Sequence, residues 1–214
     1  MPTPRFVLFD WDNTLHDSAG TNFAALARVL SDYGLHVSPE SYRRAYTVDY
    51  RRLYRDLGLA EERIEEASGR WRSLVAGAQP RLLPGAAAAL DILVEEGARL
   101  ALVTSAPRAI VEPQLRALGL TGLFAVAIFG DAQPPRPDPA PLLAALRELG
   151  ARPGDATYCS DTSADMRMGR AAGVHAIGIS SFAFGPAMLC AGGAEATAPS
   201  VAAWVDGRGI ACDG

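Results

Sequence analysis

Two carboxylates stand two positions apart in Asp10-Trp11-Asp12-Asn13-Thr14, immediately after the apolar run Phe6-Val7-Leu8-Phe9. A run of four is the length of a buried strand and too short for a buried helix. In an open parallel sheet the carboxyl ends of the strands border the crevice where ligands bind, so such a pair would face a substrate. The other reading is an ordinary acidic turn, in which Asp and Asn bond their own backbone. Three more polar clusters follow apolar runs or interrupt a proline-rich loop: Thr104-Ser105, Arg136 and Asp161 to Asp165. Carboxylates gathered in one crevice raise one another's pKa unless they share a cation. Magnesium accepts oxygen ligands and keeps several waters, so two carboxylates and a carbonyl suffice from the protein. A hydroxyl and backbone amides beside an arginine suit a tetrahedral oxyanion. Together the clusters call for a phosphoryl group held against a metal, with a carboxylate as nucleophile.

The elements that must position these residues alternate. Strands are expected at 99–103, 124–129, 156–160 and 175–179, with helices at 86–96 and 108–118 and helices ending near Gly150 and Gly173. Strands alternating with helices of ten to fourteen residues predict βαβ units and a doubly wound parallel sheet. Between Asp17 and Leu82 no strand pattern occurs. Helical periodicity there, broken at Gly34, Ser38-Pro39 and Gly58, predicts three helices, one running from Tyr42 to Leu57. The organisation expected is an α/β core of residues 1–16 and 83–214 with a helical cap of residues 17–82. Arg43-Arg44 and Arg51-Arg52 read as solvated helix faces paired with Glu61, Glu62, Glu65 and Glu66. Tyr46, Tyr50 and Tyr54 recur every four residues and read as packing.

With 214 residues, 49% of them apolar, and a net charge of -4, the chain can bury a core and has no basic face for nucleic acid. No stretch reaches the ~18 apolar residues of a membrane span, and Met-Pro-Thr-Pro-Arg is not the start of a signal peptide, so a cytoplasmic protein is expected. Cys159, Cys190 and Cys212 are odd in number and far apart, and read as free thiols of a reducing compartment, Cys159 in the core. All 20 basic residues are arginine.

These motifs resemble those of the haloacid dehalogenase-like (HAD) superfamily, and within it phosphatases of the phosphoglycolate phosphatase type. The first motif, Asp-x-Asp-x-Thr, stands as Asp10 to Thr14; the second is Thr104 at the end of Leu100-Ala101-Leu102-Val103. The third, usually Lys-Pro-x-Pro, stands as Arg136-Pro137-Asp138-Pro139. The fourth, Gly-Asp-x-x-x-Asp, stands as Ser160-Asp161-Thr162-Ser163-Ala164-Asp165. The resemblance implies a magnesium-dependent phosphatase acting on a small phosphorylated metabolite, as a monomer or homodimer. It makes Asp10 the nucleophile and Asp12 the general acid and base. Thr104, Ser105 and Arg136 bind phosphate; Asp10, the Asp12 carbonyl and Asp161 bind the metal, with Asp165 behind them. His16 is a possible substrate contact or a hinge residue, whereas His36 and His175 read as structural. Two residues depart from the pattern, Arg136 for lysine and Ser160 for glycine. The absence of lysine excludes the phosphonate-cleaving branch with its Schiff-base lysine, and makes a phospho-accepting receiver module, whose lysine is also missing, a poor fit; Asp12 argues against the dehalogenases. A sugar-phosphate mutase or a catalytically silent HAD-like binding protein stays open.

Overall fold

The computed structural model describes residues 4–47 and 49–212. Met1 to Thr3, part of the opening read above for a leader, and Val48, inside the helix expected over 42–57, lie outside them. The chain divides into two compact units, residues 1–17 with 80–214 and residues 18–79.

The larger unit is built on a seven-stranded sheet in the order β3-β2-β1-β4-β5-β6-β7. Strand β1 is Phe6–Phe9, β2 Arg99–Val103, β3 Val126–Ile128, β4 Ala156–Ser160, β5 His175–Ile179, β6 Ala196–Ala198 and β7 Ile210–Ala211. The first six run parallel, and β7 pairs antiparallel with β6. All four residues of β1 are buried because it lies between β2 and β4 with both faces covered. Alternation sends Val7 and Phe9 into a core with helix α5 (Ala86–Glu95) and helix α6 (Arg108–Ala117). Phe6 and Leu8 enter the opposite core with α7 (Ala140–Leu149) and α8 (Ser163–Ala172). The strand order reverses beside β1, so the carboxyl ends of β1, β2 and β4 flank the switch point.

Gly130 shows how tightly the tips of β2 and β3 meet. A Cβ built there would lie 2.0 Å from the Ser105 carbonyl oxygen, and the Gly130 amide donates to the Ala106 carbonyl at 3.1 Å. Gly130→Ala must displace the Thr104-Ser105 turn. The expected cost is about 1–3 kcal/mol of stability, read as a lower denaturation midpoint at unchanged slope. An unchanged midpoint would show that the turn yields freely.

Beyond Ile179, where no element was anticipated, the chain forms helix α9 (Pro186–Gly192), β6, helix α10 (Val201–Val205) and β7. The β6–β7 return carries Cys212 to Cys190 on α9, with Cα atoms 5.5 Å apart, and the two form a disulfide. The reading of three free thiols is thus corrected: Cys159 alone is free, and it is buried. The cysteines therefore no longer argue for a reducing compartment. Among the described residues no helix is long and apolar enough to cross a membrane.

The smaller unit is helical: α1 Ala19–Ser31, α2 Pro39–Ala45, α3 Tyr50–Asp56, a 3-10 turn at Glu61–Arg63 and α4 Ile64–Ala76. The single helix expected over 42–57 is two, because α2 ends at Ala45 and the Asp49 side chain caps α3 by accepting from the Arg51 and Arg52 amides. Tyr46 and Tyr50 consequently do not share a helix. Arg51 pairs with Glu61 and Glu65, Arg55 with Glu61, and Arg52 with Asp56, all exposed, as solvated faces do. Arg44 pairs with Glu40.

Candidate active site

Asp10 follows β1 and its amide donates to the Cys159 carbonyl at 3.0 Å, which fixes the first tip against β4. From the end of β4, Asp161 enters the same space. Asp165 comes from the first turn of α8, whose N-cap Thr162 accepts from the Asp165 amide. One oxygen from each of Asp10, Asp161 and Asp165 lies within 4.8 Å of the others, and all three residues are buried.

Arg136 bridges this cluster with its two terminal nitrogens. Nη2 donates to Asp10 Oδ1 at 2.5 Å and Nη1 to Asp165 Oδ2 at 2.8 Å. A planar guanidinium can present two separate nitrogens to two carboxylates, as it does here. Asp165 is saturated, since Tyr158 donates to its Oδ1 at 2.8 Å and the Thr162 hydroxyl contacts Oδ2. Asp161 is different: the Ser181 side chain hydrogen-bonds its carboxylate, yet Oδ2 is buried without a partner among the described residues. Three buried carboxyls facing one buried guanidinium would carry two negative charges in excess if all were ionised, and an orphaned carboxylate oxygen is costly. The donors are all oxygen, so the set fits one hard divalent cation.

Electrostatics agree. Burial pushes Asp10 from its ordinary 3.8 up to about 7; Arg136 opposes this, while Asp165 and Asp12 add to it. Burial, then Asp10 and Asp165, drive Asp161 well above the carboxylate range. Burial works against the charge on Arg136, but Asp10 and Asp165 hold it firmly protonated. The sign for stability follows from proton counting. Between about pH 4 and pH 7 the metal-free native state holds a proton on Asp10 that the unfolded chain has shed, so stability falls as pH rises through that window. In chelator, the melting temperature should drop from pH 5 to pH 8, and magnesium should restore it most above pH 7. A magnesium gain that is larger at pH 5 would contradict this.

Thr104 follows β2, buried, and its hydroxyl oxygen accepts from the Ala106 amide at 3.1 Å, leaving its proton to donate. Thr104, Ser105 and Arg136 line one cavity of ≈ 230 Å³ together with Gly130, Gln133 and Pro135. Ser160 is buried with no partner for its hydroxyl among the described residues, and sits in register with Gly178.

Residues 7–179 match the family model for haloacid dehalogenase-like hydrolases. The chain belongs to that family. Phosphoglycolate phosphatase 1 of Pseudomonas aeruginosa is 33% identical over 183 residues, covering 80% of this chain and 67% of its own length. Phosphoglycolate phosphatase of Xanthomonas campestris pv. campestris is 32% identical over 187 residues, covering 83% of each. Among solved structures, CbbY from Rhodobacter sphaeroides in complex with phosphate is 26% identical, with a TM-score of 0.75 over 92% of this chain and 95% of that one.

Within this HAD hydrolase the structure brings Asp10, Arg136, Asp161 and Asp165 together, and sets Thr104 and Ser105 beside Arg136 in the cavity. His16 lies apart from the carboxylate cluster, its ring buried and turned toward Asp12. His175 pairs with Glu195 on the surface, at the opposite end of β5 from the strand tips. Sequence reasoning missed Tyr158, Thr162 and Ser181. A tyrosine in an apolar strand gives no sign of its hydroxyl's partner; Thr162, three residues before Asp165, carried the signature of an N-cap.

Proposed function

We propose that the chain is a magnesium-dependent phosphatase that hydrolyses a small phosphate monoester through an aspartyl phosphate on Asp10. The observation that carries this is the buried cluster in which Arg136 bridges Asp10 and Asp165 while Asp161 keeps a buried oxygen unpartnered. A nucleophilic carboxylate needs its charge compensated without being capped by a proton, and Arg136 with a cation provides that.

In the proposed reaction Asp10 attacks phosphorus, and the ester P–O bond breaks as Asp12 gives its proton to the departing oxygen. Water then attacks the phosphorus of the aspartyl phosphate, Asp12 takes a proton from it, and inorganic phosphate leaves with Asp10 restored. Thr104 donates to a phosphoryl oxygen, and Arg136 holds Asp10 in line. Asp10, Asp161 and the Asp12 carbonyl would hold the cation, which would neutralise charge on the transferring group. Asp165 serves from behind by fixing Arg136. The names of the relatives make phosphoglycolate the first substrate to try. The helical unit of residues 18–79, within the cap expected over 17–82, is the proposed cap.

A catalytically silent binding protein would draw its support from Arg136 and Ser160, the two departures from the motifs. The guanidinium compensates both carboxylates, and Ser160 leaves every carboxylate in place, so neither removes the chemistry. The test is phosphate release from p-nitrophenyl phosphate and from a panel of alkyl phosphates including phosphoglycolate, with magnesium and after chelation. Release that requires the cation is expected; no release from any ester sinks the proposal.

A further inference from the structure

Asp12 is the half-exposed member of the first motif, and a carboxylate that must give and take protons needs one fixed direction. His16 Nδ1 lies 3.2 Å from Asp12 Oδ1, and the side-chain exposures are 5% for His16 and 38% for Asp12. The imidazole is therefore a buried wall against which the carboxylate rests. Its ring stacks on the Trp11 indole with centroids 5.3 Å apart and planes 13° apart. The indole is fixed in turn, because its Nε1 donates to Gln114 Oε1 on α6 at 2.8 Å, and both residues are buried. The backbone closes the same unit. The His16 amide donates to the Trp11 carbonyl at 2.9 Å, and the Asn13 amide to the His16 carbonyl at 2.8 Å. Asn13 takes a left-handed φ of 59° to make this turn.

We propose that His16 is a positioning residue for Asp12, held by Trp11 and Gln114, and that it aims the carboxylate at the departing oxygen. This rests on the phosphatase reading above. The ring is buried, so it reaches the substrate through Asp12 and not by its own contact. A carboxylate accepts, so Nδ1 donates to Oδ1 and leaves Oδ2 to exchange protons. Stacking on a hydrogen-bonded indole costs His16 its rotamers once, at folding, so that Asp12 need not search at each turnover.

Phenyl phosphate and p-nitrophenyl phosphate separate this from a merely structural role, because they differ little in shape but much in the basicity of the departing phenol. His16→Phe keeps a stacked ring and loses the donor. In a single turnover, which reads the first step alone, it should lower the rate of phenol release from phenyl phosphate by about 10²-fold, with KM little changed, and should lower the rate of p-nitrophenol release from p-nitrophenyl phosphate far less. His16→Asn, which can donate from the same Cβ, should recover most of the loss. Equal losses on both esters, a change confined to KM, or no rescue by Asn overturns the proposal. Should His16→Phe fail to fold, Gln114→Met, which frees only the indole, should show the same skew at smaller size; the absence of a skew there counts equally against it. A native chain that hydrolyses neither ester removes the phosphatase reading, and this proposal with it.

Discussion

Asp10→Asn is expected to reduce phosphate release by about 10⁴-fold or more, the scale seen when a nucleophile is removed, while the protein stays folded. Asn has nearly the shape of Asp, so β1 and the backbone bond to Cys159 are untouched. The native site already favours the neutral form of this carboxyl, since burial raises Asp10 to about 7. Replacing it by a neutral amide therefore changes the buried charge little at or below pH 7, and the metal-free melting temperature there should hold. The Asn carbonyl can still accept from Arg136, but it cannot form the acyl phosphate. The measurement is steady-state release with magnesium, alongside thermal melting in chelator. Turnover within tenfold of the native chain would place the nucleophile elsewhere.

Arg136→Met is the second large effect, and here the loss is in both stability and activity. The guanidinium is buried beside Asp10 and Asp165, with side-chain exposures of 9%, 4% and 0%. Removing one partner of a buried ion pair strands the other and costs about 3–5 kcal/mol. For a chain of this size that is a drop in melting temperature on the order of 10 °C. The stranded carboxylates escape by protonation, so the deficit should shrink at low pH and grow above pH 7. Arg136→Lys keeps the charge on a single nitrogen that must serve both carboxylates, so it should lie between Met and the native chain. Melting curves of the three proteins in chelator, at pH 5 and pH 8, provide the check. A Met variant as stable as the native chain at pH 8 would show that the pair contributes nothing to the fold.

Parts of the fold were legible because their signals are local. Strands β2, β4 and β5 fall on the residues expected, since each is a short apolar run with a glycine, proline or polar tip at its boundary. The third strand is shorter than expected, Val126–Ile128 in place of 124–129. The single helix across 42–57 failed because period-3.6 apolar spacing runs through Tyr46 to Asp49, while the Asp49 cap starts a new helix there. The C-terminal elements failed for another reason. Strands β6 and β7 have three and two residues, too few for any periodicity, and Cys190 and Cys212 are 22 residues apart with nothing local to connect them.

What the sequence by itself determined was the order of the motifs: carboxylates after the first strand, a hydroxyl after the second, an arginine in the proline-rich loop and carboxylates after the fourth. That order follows from residue types and local spacing, and it was enough for the family and for an α/β sheet. Only the tertiary structure decided which partner each group takes. Arg136 meets Asp10 across 126 residues of chain and Trp11 meets Gln114 across 103. Such pairs depend on strand order and register, which bring distant tips to one edge, and no local pattern encodes them. The same register saturated Asp165, left Asp161 Oδ2 without a hydrogen-bond partner among the described residues, and set the buried His16 ring against Asp12.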